Sequence, residues 1–382
     1  MTPDELIQAG NDCREQNNPE EALGYYARAF AQDRNSASAF NNYGNVLREI
    51  GEPEAAIPFL LRSIQLAPGG SVNNFNLSVA YLLSGDYEKG FAQYESRWHF
   101  EHLAGSLPTF AQPRWTGQDL KNSTLLVRQE QGLGDVIQFS RFLVHVKSLG
   151  AKIVLQVNNN LAPLFAGSAI IDQIIDINDV PEKFDYWIPI MSIADVIGLR
   201  LENLPQQLSY LSARHDLIQQ WHQQLGHKNR IRVGFCWSGR PDSWINRHKG
   251  IPFEVMIKLI QRNPACEWVN LQIECSAQQQ QELDAMGVKS FRNSIRNFAD
   301  TAALIHHMDV VISVDTAIAH LSGALGRPTW IPLNWYGVDW RWLLNRESSP
   351  WYPSARLFRQ PSLGDWESVT DRIHQYLGWF KV

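Results

Sequence analysis

The stretch Thr124–Asp135 reads TLLVRQEQGLGD and decides the fold class of this chain. Its first five residues form a short apolar strand, and a glycine-containing turn follows at once. Val136–Leu149 then has the hydrophobic spacing of a helix that ends at Gly150, and Lys152–Val157 is the next apolar strand. Strand, turn, helix and strand make one βαβ unit, so the stretch predicts a parallel sheet covered by helices.

The same alternation continues towards the C-terminus. Two short strands are predicted at Ile174–Asp176 and Tyr186–Ile190, and a second series of elements begins at Arg230. Its predicted strands are Ile231–Trp237, Trp268–Ile273, Val310–Val314 and Thr329–Leu333, and its predicted helices are Phe253–Arg262, Ala277–Met286, Ala299–His307 and Thr316–Leu325. Two such halves, divided near residues 212–229, predict two Rossmann-like domains that face each other across a cleft. Ligands of such sheets bind beyond the carboxyl ends of the strands.

The chain before residue 105 has another period, because three stretches align at a spacing of 34 residues. The aligned sets are Leu6, Phe40 and Asn74; Gly10, Gly44 and Ser78; Ala22, Ala56 and Gly90; and Tyr26, Leu60 and Tyr94. Small residues where two helices touch, with large residues filling the gaps, are the pattern of tetratricopeptide repeats. Arrays of this kind bind polypeptides in their concave face, so the pattern predicts a protein partner.

Composition excludes several classes of protein. The chain has 382 residues, 44% hydrophobic and 19% charged, which is typical of globular domains, and its net charge of −5 gives no footprint for nucleic acid. No apolar run is long enough to span a membrane, and the N-terminus lacks the pattern of a signal peptide. The four cysteines form no C-x-x-C pair, so we expect a cytoplasmic protein with reduced thiols and no zinc site.

The turn Gly132-Leu133-Gly134-Asp135 is the first candidate for chemistry. Glycines between a strand and a helix let the backbone approach a ligand closely, and a helix N-terminus favours negative charge. Asp135 has two interpretations. It can cap the helix, which is the commoner role in this position, or it can take a proton from an acceptor hydroxyl at the floor of the cleft.

The second candidate is Asp315-Thr316-Ala317-Ile318-Ala319-His320, directly after a β-branched strand. Asp315 and Thr316 fall where a helix begins, so unpaired N–H groups and the Thr316 hydroxyl could bind phosphate. His320 follows one helical turn later on the same face. The alternative is a helix cap followed by a core histidine.

The third candidate joins Trp237-Ser238-Gly239-Arg240 to Arg247-His248-Lys249. A small-residue turn at the end of a strand, followed by three basic groups, suits a diphosphate whose charge grows as a glycosidic bond breaks. The alternative is a solvated basic loop. The chain has no D-x-D triplet, which favours a site that holds a diphosphate without a metal ion.

These motifs together resemble the heptosyltransferase-like family nine glycosyltransferases. The resemblance is carried by Gly132–Val136, by Asp315–Leu321 and by Gly326-Arg327-Pro328, and with the repeats the whole chain is similar to bacterial tetratricopeptide-repeat glycosyltransferases. It implies a GT-B fold, a nucleotide-sugar co-substrate and no metal or other cofactor. By position it implies Asp135 as general base, Lys249 on the donor phosphates, Glu274 facing the ribose, and Asp315, Thr316 and His320 as the donor-side motif. The loop Asn334–Gly337 departs from the family pattern, which bears on the identity of the sugar.

The sequence therefore predicts a helical array followed by an α/β body. The predicted divisions are a tetratricopeptide array at 1–104, a linker at 105–122, an acceptor-side Rossmann-like domain at 123–225 and a nucleotide-sugar domain at 226–382. The predicted activity is inverting, metal-independent transfer of a sugar to a Ser or Thr hydroxyl of a protein that the repeats recruit. Two alternatives stay open: a non-catalytic scaffold with a glycosyltransferase-like body, and a glycosyltransferase whose acceptor is a glycan or lipid.

Overall fold

The structure is a computed structural model that describes residues 1–99, 110–179, 181–239 and 248–379. These residues form two compact units. We call the first the helical unit, and it comprises the described residues of 1–110 together with 198–204 and 335–346. The second, the sheet unit, comprises the described residues of 111–197, 205–334 and 347–382.

The helical unit contains three antiparallel helix pairs. The helices are α1 (Pro3–Glu15), α2 (Pro19–Gln32), α3 (Ala37–Glu49), α4 (Pro53–Leu66), α5 (Ser71–Ser84) and α6 (Tyr87–Tyr94), followed by a 3₁₀ turn at Glu95–His99. The predicted small residues lie where the paired helices touch. A Cβ at Gly10 would lie 2.5 Å from the ring of Tyr26, and a Cβ at Gly44 would lie 2.8 Å from Leu60. The absence of a side chain lets the helices of a pair approach this closely, which confirms the predicted repeats.

The segment 335–346 belongs to the helical unit, whereas the sequence analysis placed it in the nucleotide-sugar domain. The Tyr336 hydroxyl donates to Glu49 Oε2 at 2.5 Å, and the Gly337 N–H donates to the Glu49 carbonyl at 2.8 Å. The Trp340 ring lies edge-on to Tyr87 and Phe91. Long-range packing and these hydrogen bonds, which no local pattern reveals, assign the segment to the helices.

Glu49 is the centre of a buried polar cluster in this unit. Its carboxylate accepts from Arg14 Nε at 2.8 Å and pairs with Arg14 Nη2 and Arg48, in addition to the Tyr336 hydroxyl. Burial raises the pKa of Glu49, but hydrogen bonding and charge from Arg14 and Arg48 outweigh it and hold that pKa below its usual range. The ionised carboxylate therefore stabilises the folded array.

We expect Glu49→Gln to destabilise the helical unit at pH 7 by about 3–5 kcal/mol, because it leaves two partly buried arginines without their carboxylate. The stabilisation from Glu49 is fully present above the ordinary glutamate pKa of about 4.3 and is lost as the pH falls through the lowered folded-state pKa. Hydrogen exchange of α3 in the full chain, at pH 7 and under acid conditions, measures both effects. Glu54→Gln, at an exposed position of α4, is the control and should change stability by less than about 0.5 kcal/mol.

The sheet unit begins with a parallel four-stranded sheet. Its strands are β1 (Thr124–Arg128), β2 (Lys152–Val157), β3 (Gln173–Asp176) and β4 (Tyr186–Pro189), in the order β3-β2-β1-β4. Its helices are α7 (Leu133–Phe139), α8 (Leu143–Ser148), α9 (Ala162–Phe165), α10 (Ile193–Val196) and α11 (His215–Leu225). Part of the predicted linker packs on this sheet, since the Trp115 N–H donates to the carbonyl of Trp187 at 2.9 Å.

A parallel six-stranded sheet completes this unit. Its strands are β5 (Arg232–Cys236), β6 (Glu267–Asn270), β7 (Lys289–Ser290), β8 (Val310–Ser313), β9 (Thr329–Leu333) and β10 (Ala355–Arg359), in the order β10-β9-β8-β5-β6-β7. Its helices are α12 (Phe253–Arg262), α13 (Ala277–Ala285), α14 (Phe298–His306), α15 (Ala317–Ala324) and α16 (Trp366–Trp379). The predicted architecture, a helical array before a Rossmann-like body, is confirmed; β7, β10 and α16 had not been predicted.

The predicted helix Val136–Leu149 is wrong as a single helix. It starts earlier, at Leu133, and a 3₁₀ turn at Ser140–Phe142 separates α7 from α8. The Ser140 hydroxyl donates to the Ile137 carbonyl at 2.8 Å and Arg141 Nε donates to the Gln138 carbonyl at 3.1 Å. Side chains that bond to carbonyls three residues back favour the tighter turn.

Candidate active site

The three predicted motifs all lie where strand order reverses. In the four-stranded sheet β1 lies between β2 and β4, and the turn with Gly132, Gly134 and Asp135 follows β1. In the six-stranded sheet β5 and β8 are neighbours; Trp237 and Ser238 follow β5, and Asp315 follows β8. Ligands of parallel sheets bind beyond the carboxyl ends of strands at such switch points. The strand order therefore indicates that the candidate site lies at these three turns.

Asp315 is the charged centre on the six-stranded side. Its Oδ2 forms an ion pair with Lys249 Nζ, and its Oδ1 lies 3.7 Å from His320 Nε2. The side chains of Asp315 and Lys249 are only 7% and 11% exposed, so solvent screens the pair weakly. Burial raises the pKa of Asp315, but the Lys249 ammonium and His320 outweigh it and hold that pKa far below its usual range. The carboxylate is therefore ionised, and it fixes a cation at the carboxyl end of β8.

Thr316 caps the helix that follows. Its hydroxyl accepts from the Ile318 N–H at 3.3 Å and lies 3.0 Å from the Ser313 hydroxyl. Burial raises the pKa of the neighbouring Cys236 thiol to about 11, which favours the protonated thiol. The N-terminus of α15 is thus pre-organised, with its dipole directed at the region beside Asp315.

Gly134 brings the turn after β1 into contact with α15, the helix that follows β8. A Cβ built on Gly134 would lie 2.8 Å from His320 Cδ2 and 3.4 Å from Ala317 Cα. Gly134 does not have a left-handed backbone; it is needed for close approach. The turn that carries Asp135 and the helix that carries His320 therefore belong to one site.

Asp135 caps its own helix from the third helical position. Its Oδ2 accepts from the Gly132 N–H at 2.8 Å, so Gly132, not Asp135, is the N-cap residue. Gln131, which precedes Gly132, has a φ of +55°, a left-handed conformation that is uncommon for a residue with a side chain. This strained turn after β1 holds the Asp135 carboxylate, which is partly exposed, beside Gly134 and its contact with His320.

Gln272 holds the third motif together, and sequence reasoning missed it. Its Oε1 accepts from the backbone N–H groups of Trp237 and Ser238 at 3.1 and 3.0 Å. Its Nε2 donates to the Ser238 hydroxyl at 2.7 Å and to the Glu274 carbonyl at 2.8 Å. One buried amide thus positions Ser238 and the Glu274 backbone. Because glutamine has no motif of its own here, no local signal could identify it.

The remaining predicted residues are less enclosed. β6 ends at Asn270, not Ile273 as predicted, and Glu274 is exposed four residues beyond it. Gly239 ends the described stretch after β5, and Arg240 lies outside the described residues. Gly250 approaches Ser238, with a built Cβ at 3.4 Å from the serine Cβ, so the two halves of the third motif are adjacent.

Tyr352 and Arg141 are two further residues near the site to which the sequence analysis gave no role. The Tyr352 hydroxyl lies 2.8 Å from His320 Nδ1, and Arg141 Nη1 donates to the Trp351 carbonyl at 2.7 Å. A signal for Arg141 was available, since it follows Ile137 by four residues on the apolar side of a predicted helix.

A separate cavity of about 540 Å³ opens at the amino ends of β5, β6 and β7. Arg230, Glu267 and Lys289 line it, at the opposite edge of the sheet from Asp315. It is therefore not part of the candidate site. Within the described residues no group of three or more His, Cys, Asp or Glu side chains is placed to hold a metal ion. None of the helices in the described ranges has the length and apolar character needed to cross a membrane.

We expect Gly134→Ala to lower turnover by about 10-fold to 100-fold, because the added methyl group forces His320 or the Asp135 turn to move by a substantial fraction of an ångström. Overpacking should also cost about 1–3 kcal/mol of folding free energy. Steady-state kinetics together with thermal unfolding measure both effects. Gly24→Ala, where a Cβ would meet nothing within 4 Å, is the matched control; unchanged turnover in Gly134→Ala would contradict the contact.

Two family models match separate parts of this chain. The family model described as tetratricopeptide repeat matches residues 7–71, and the model described as glycosyltransferase family 9 (heptosyltransferase) matches residues 295–333. The second match contains β8, Asp315, Thr316, His320 and β9.

The similar proteins extend over much more of the chain. A curated relative, protein FlbA of Caulobacter vibrioides, is 27% identical, and the alignment covers 97% of this chain and 72% of the relative. The crystal structure of a family 9 glycosyl transferase from Veillonella parvula has a TM-score of 0.52 at 12% identity and covers 69% of this chain and 99% of its own. The E. coli ADP-heptose LPS heptosyltransferase II has a TM-score of 0.47 at 14% identity, covering 67% and 98%. The chain thus carries an N-terminal array of tetratricopeptide repeats, followed by a body that is similar to family 9 (heptosyltransferase) glycosyltransferases.

Proposed function

We propose that this protein moves a sugar from a nucleotide-sugar donor to a Ser or Thr hydroxyl of a protein acceptor, with inversion and without a metal ion. The observation that carries the proposal is the contact between Gly134 and His320. It joins the turn that bears the Asp135 carboxylate to the start of α15, where Asp315 holds the Lys249 ammonium. Transfer from an activated diphosphate needs a base at one end of the reacting atoms and positive charge at the other.

On the donor side, Lys249 and the N-terminus of α15 would hold the diphosphate. A lysine ammonium has three N–H donors, so it can bridge Asp315 and a phosphate oxygen. Asp315 would position the ammonium by the ion pair described above. Charge that develops on the leaving diphosphate would be stabilised by this cation and by the backbone N–H groups that follow Thr316. Ser238 and Gly239 would contribute from the turn after β5, and Glu274 would contact the ribose. Arg240, outside the described residues, keeps the diphosphate role that the sequence predicts.

On the acceptor side, Asp135 would take the proton of the attacking hydroxyl. The oxygen attacks the anomeric carbon from the face opposite the departing diphosphate, so one C–O bond forms as the other breaks and the configuration inverts. The proton passes to the Asp135 carboxylate, and the electron pair of the broken bond stays with the diphosphate. The Gly132 and Gly134 backbone would allow the acceptor to approach closely.

The helical array supports a protein acceptor, because tetratricopeptide arrays bind polypeptides in their concave face. The family description supports a second candidate, a glycan or lipid acceptor, since heptosyltransferases such as the E. coli protein are named for transfer to LPS. A scaffold that no longer turns over is the third candidate. Asp135, Lys249, Asp315 and His320 are all present, which favours an active enzyme.

The first test is a thermal-shift assay with the nucleoside diphosphates of the four common bases, with and without EDTA. A nucleotide at 100 times its dissociation constant should add about 2.7 kcal/mol to folding stability. A shift that survives EDTA supports a metal-free donor site, and a shift that EDTA abolishes contradicts it. With the base known, release of nucleoside diphosphate from matching nucleotide sugars tests turnover. No shift with any base favours the scaffold.

The acceptor class is tested separately, by presenting a matching labelled nucleotide sugar with the protein and lipid fractions of a cell extract. Label that is found in protein and is released by β-elimination supports a Ser or Thr acceptor. Label confined to the lipid or glycan fraction supports the second candidate.

A further inference from the structure

Arg141 is a buried cation that lies beside the candidate site without a carboxylate partner. It is 3% exposed and forms no ion pair with any described carboxylate within 4 Å. Nε donates to the Gln138 carbonyl and Nη1 to the Trp351 carbonyl, while Nη2 has no hydrogen-bond partner among the described residues. Burial of a charge in this way is costly, so the surroundings must compensate.

Three aromatic rings supply the compensation. The guanidinium carbon lies 4.5 Å from the ring centroid of Tyr210, 4.9 Å from that of Tyr352 and 5.2 Å from that of Trp351. An arginine enclosed by ring faces is attracted to their π electrons. Trp351 and Tyr352 are themselves fully buried. Arg141 therefore fixes the main chain at Trp351 and the plane of the Tyr352 ring.

Tyr352 is held on its other side by α15. A Cβ at Gly323 would lie 2.5 Å from the Tyr352 ring, so the ring packs directly on the helix backbone. This places the Tyr352 hydroxyl 2.8 Å from His320 Nδ1. The ring is buried, so close packing restricts its motion.

The two nitrogens of His320 face different groups. Nδ1 faces the Tyr352 hydroxyl, which can donate or accept, while Nε2 faces the ionised Asp315 carboxylate at 3.7 Å, which can only accept. A lone pair on Nε2 would oppose that carboxylate. The favourable neutral form is therefore the one that carries hydrogen on Nε2 and accepts from Tyr352 at Nδ1.

We infer that Arg141 and Tyr352 are positioning residues, which hold the imidazole of His320 with Nε2 towards Asp315, so that the carboxylate selects the Nε2–H tautomer. The inference rests on the proposed function only for its effect on turnover, because the tautomer is a property of the protein alone. Arg141 comes from the 3₁₀ turn after the Asp135 helix, whereas His320 and Asp315 come from the six-stranded sheet. Through Tyr352 and His320, the geometry around Asp315 therefore depends on the 3₁₀ turn that carries Arg141.

The experiment compares the wild type with Tyr352→Phe, which keeps the ring that packs on Gly323 and Arg141 and removes only the hydroxyl. Nitrogen NMR of ¹⁵N-histidine-labelled full-length protein reports the tautomer, and His320→Gln assigns the resonances of His320. We expect an Nε2–H tautomer in the wild type and a loss of that preference in Tyr352→Phe, because without the hydroxyl the imidazole is no longer held against Asp315. A wild-type Nδ1–H form, a doubly protonated ring at pH 7, or an unchanged tautomer in Tyr352→Phe overturns the inference.

Kinetics supply the second readout. Tyr352→Phe should lower kcat about 10-fold while the donor KM changes less than threefold, and Tyr376→Phe, at a tyrosine whose hydroxyl accepts from Arg356, should change neither. Arg141→Lys should shift the His320 resonances in the same way, and in the Tyr352→Phe background it should add little, because both act through one hydroxyl. If the effects of Arg141→Lys and Tyr352→Phe on kcat are additive, Arg141 does not act on His320 through Tyr352. If Arg141→Lys does not fold, the result for Tyr352→Phe alone tests the inference. If the protein turns over no donor, the tautomer measured by NMR still tests it.

Discussion

Asp135→Asn should reduce sugar transfer by about 10²-fold to 10⁴-fold, the range that removal of a general base costs, while the affinity for the nucleotide stays nearly unchanged. An amide cannot accept the hydroxyl proton, whereas the donor-side groups Lys249 and Asp315 are untouched by the change. The kcat of transfer and the dissociation constant of the nucleoside diphosphate measure the two quantities. Transfer at the wild-type rate would rule out Asp135 as the base.

The capping bond of Asp135 requires a matched control, because it gives the carboxylate a structural role as well. The amide in Asp135→Asn retains an oxygen that can accept from the Gly132 N–H, as Asp135 Oδ2 does at 2.8 Å. Asp135→Ala loses this bond and should cost about 1 kcal/mol of folding free energy in addition to transfer. If Asp135→Asn is as active as the wild type while Asp135→Ala is not, the residue is a cap and another group is the base.

Much of the fold could be predicted because its signals are local. β1, β2, α12 and β9 have the predicted bounds, since each is a short apolar run or an amphipathic helix bounded by polar, glycine or proline residues. The 34-residue spacing correctly predicts which residues of the helix pairs must be small, as Gly10 and Gly44 show. Local sequence thus determines both the elements and the repeat.

The failures arise where distant residues decide the structure. The helix predicted over Val136–Leu149 is interrupted because Ser140 and Arg141 bond to carbonyls, and Arg141 does so as part of a cluster with residues about 210 positions later. The segment 335–346 joins the helical unit because of Glu49, nearly 290 positions earlier. No window of sequence contains both partners of such contacts, so periodicity cannot reveal them.

Some residues of the candidate site could be predicted from sequence, because their signals are also local. Asp135, Lys249, Asp315 and His320 stand in turns whose residue types are informative on their own, and the structure brings His320 and Lys249 together on Asp315. Gln272 and Tyr352 could not be predicted, because a glutamine after a strand and a tyrosine in a loop indicate no role until their partners are known. A motif supplies the groups that face a ligand; the fold supplies those that orient them.

Lys249→Met should have the second large effect, a loss of at least about 100-fold in kcat/KM for the donor together with about 3–5 kcal/mol of folding free energy. The charge that stabilises the leaving diphosphate is removed, and Asp315, 7% exposed, is left as a buried carboxylate without its principal partner. Donor kinetics and thermal unfolding measure the two losses. Because a poorly folded variant would also lose activity, the single substitution cannot separate the role in binding from the role in folding.

The double variant Lys249→Met with Asp315→Asn separates them. Removal of both charges leaves no buried carboxylate to compensate, so stability should recover most of the loss, as expected when a buried ion pair is replaced as a whole. Donor turnover should stay low, since the cation is still absent. If turnover recovers with stability, Lys249 serves only to neutralise Asp315, and the charge that stabilises the diphosphate must come from the helix N-terminus after Thr316. If neither recovers, His320 and its partners depend on the Asp315 charge itself, because the neutral amide would then fail to hold the imidazole that Tyr352 orients.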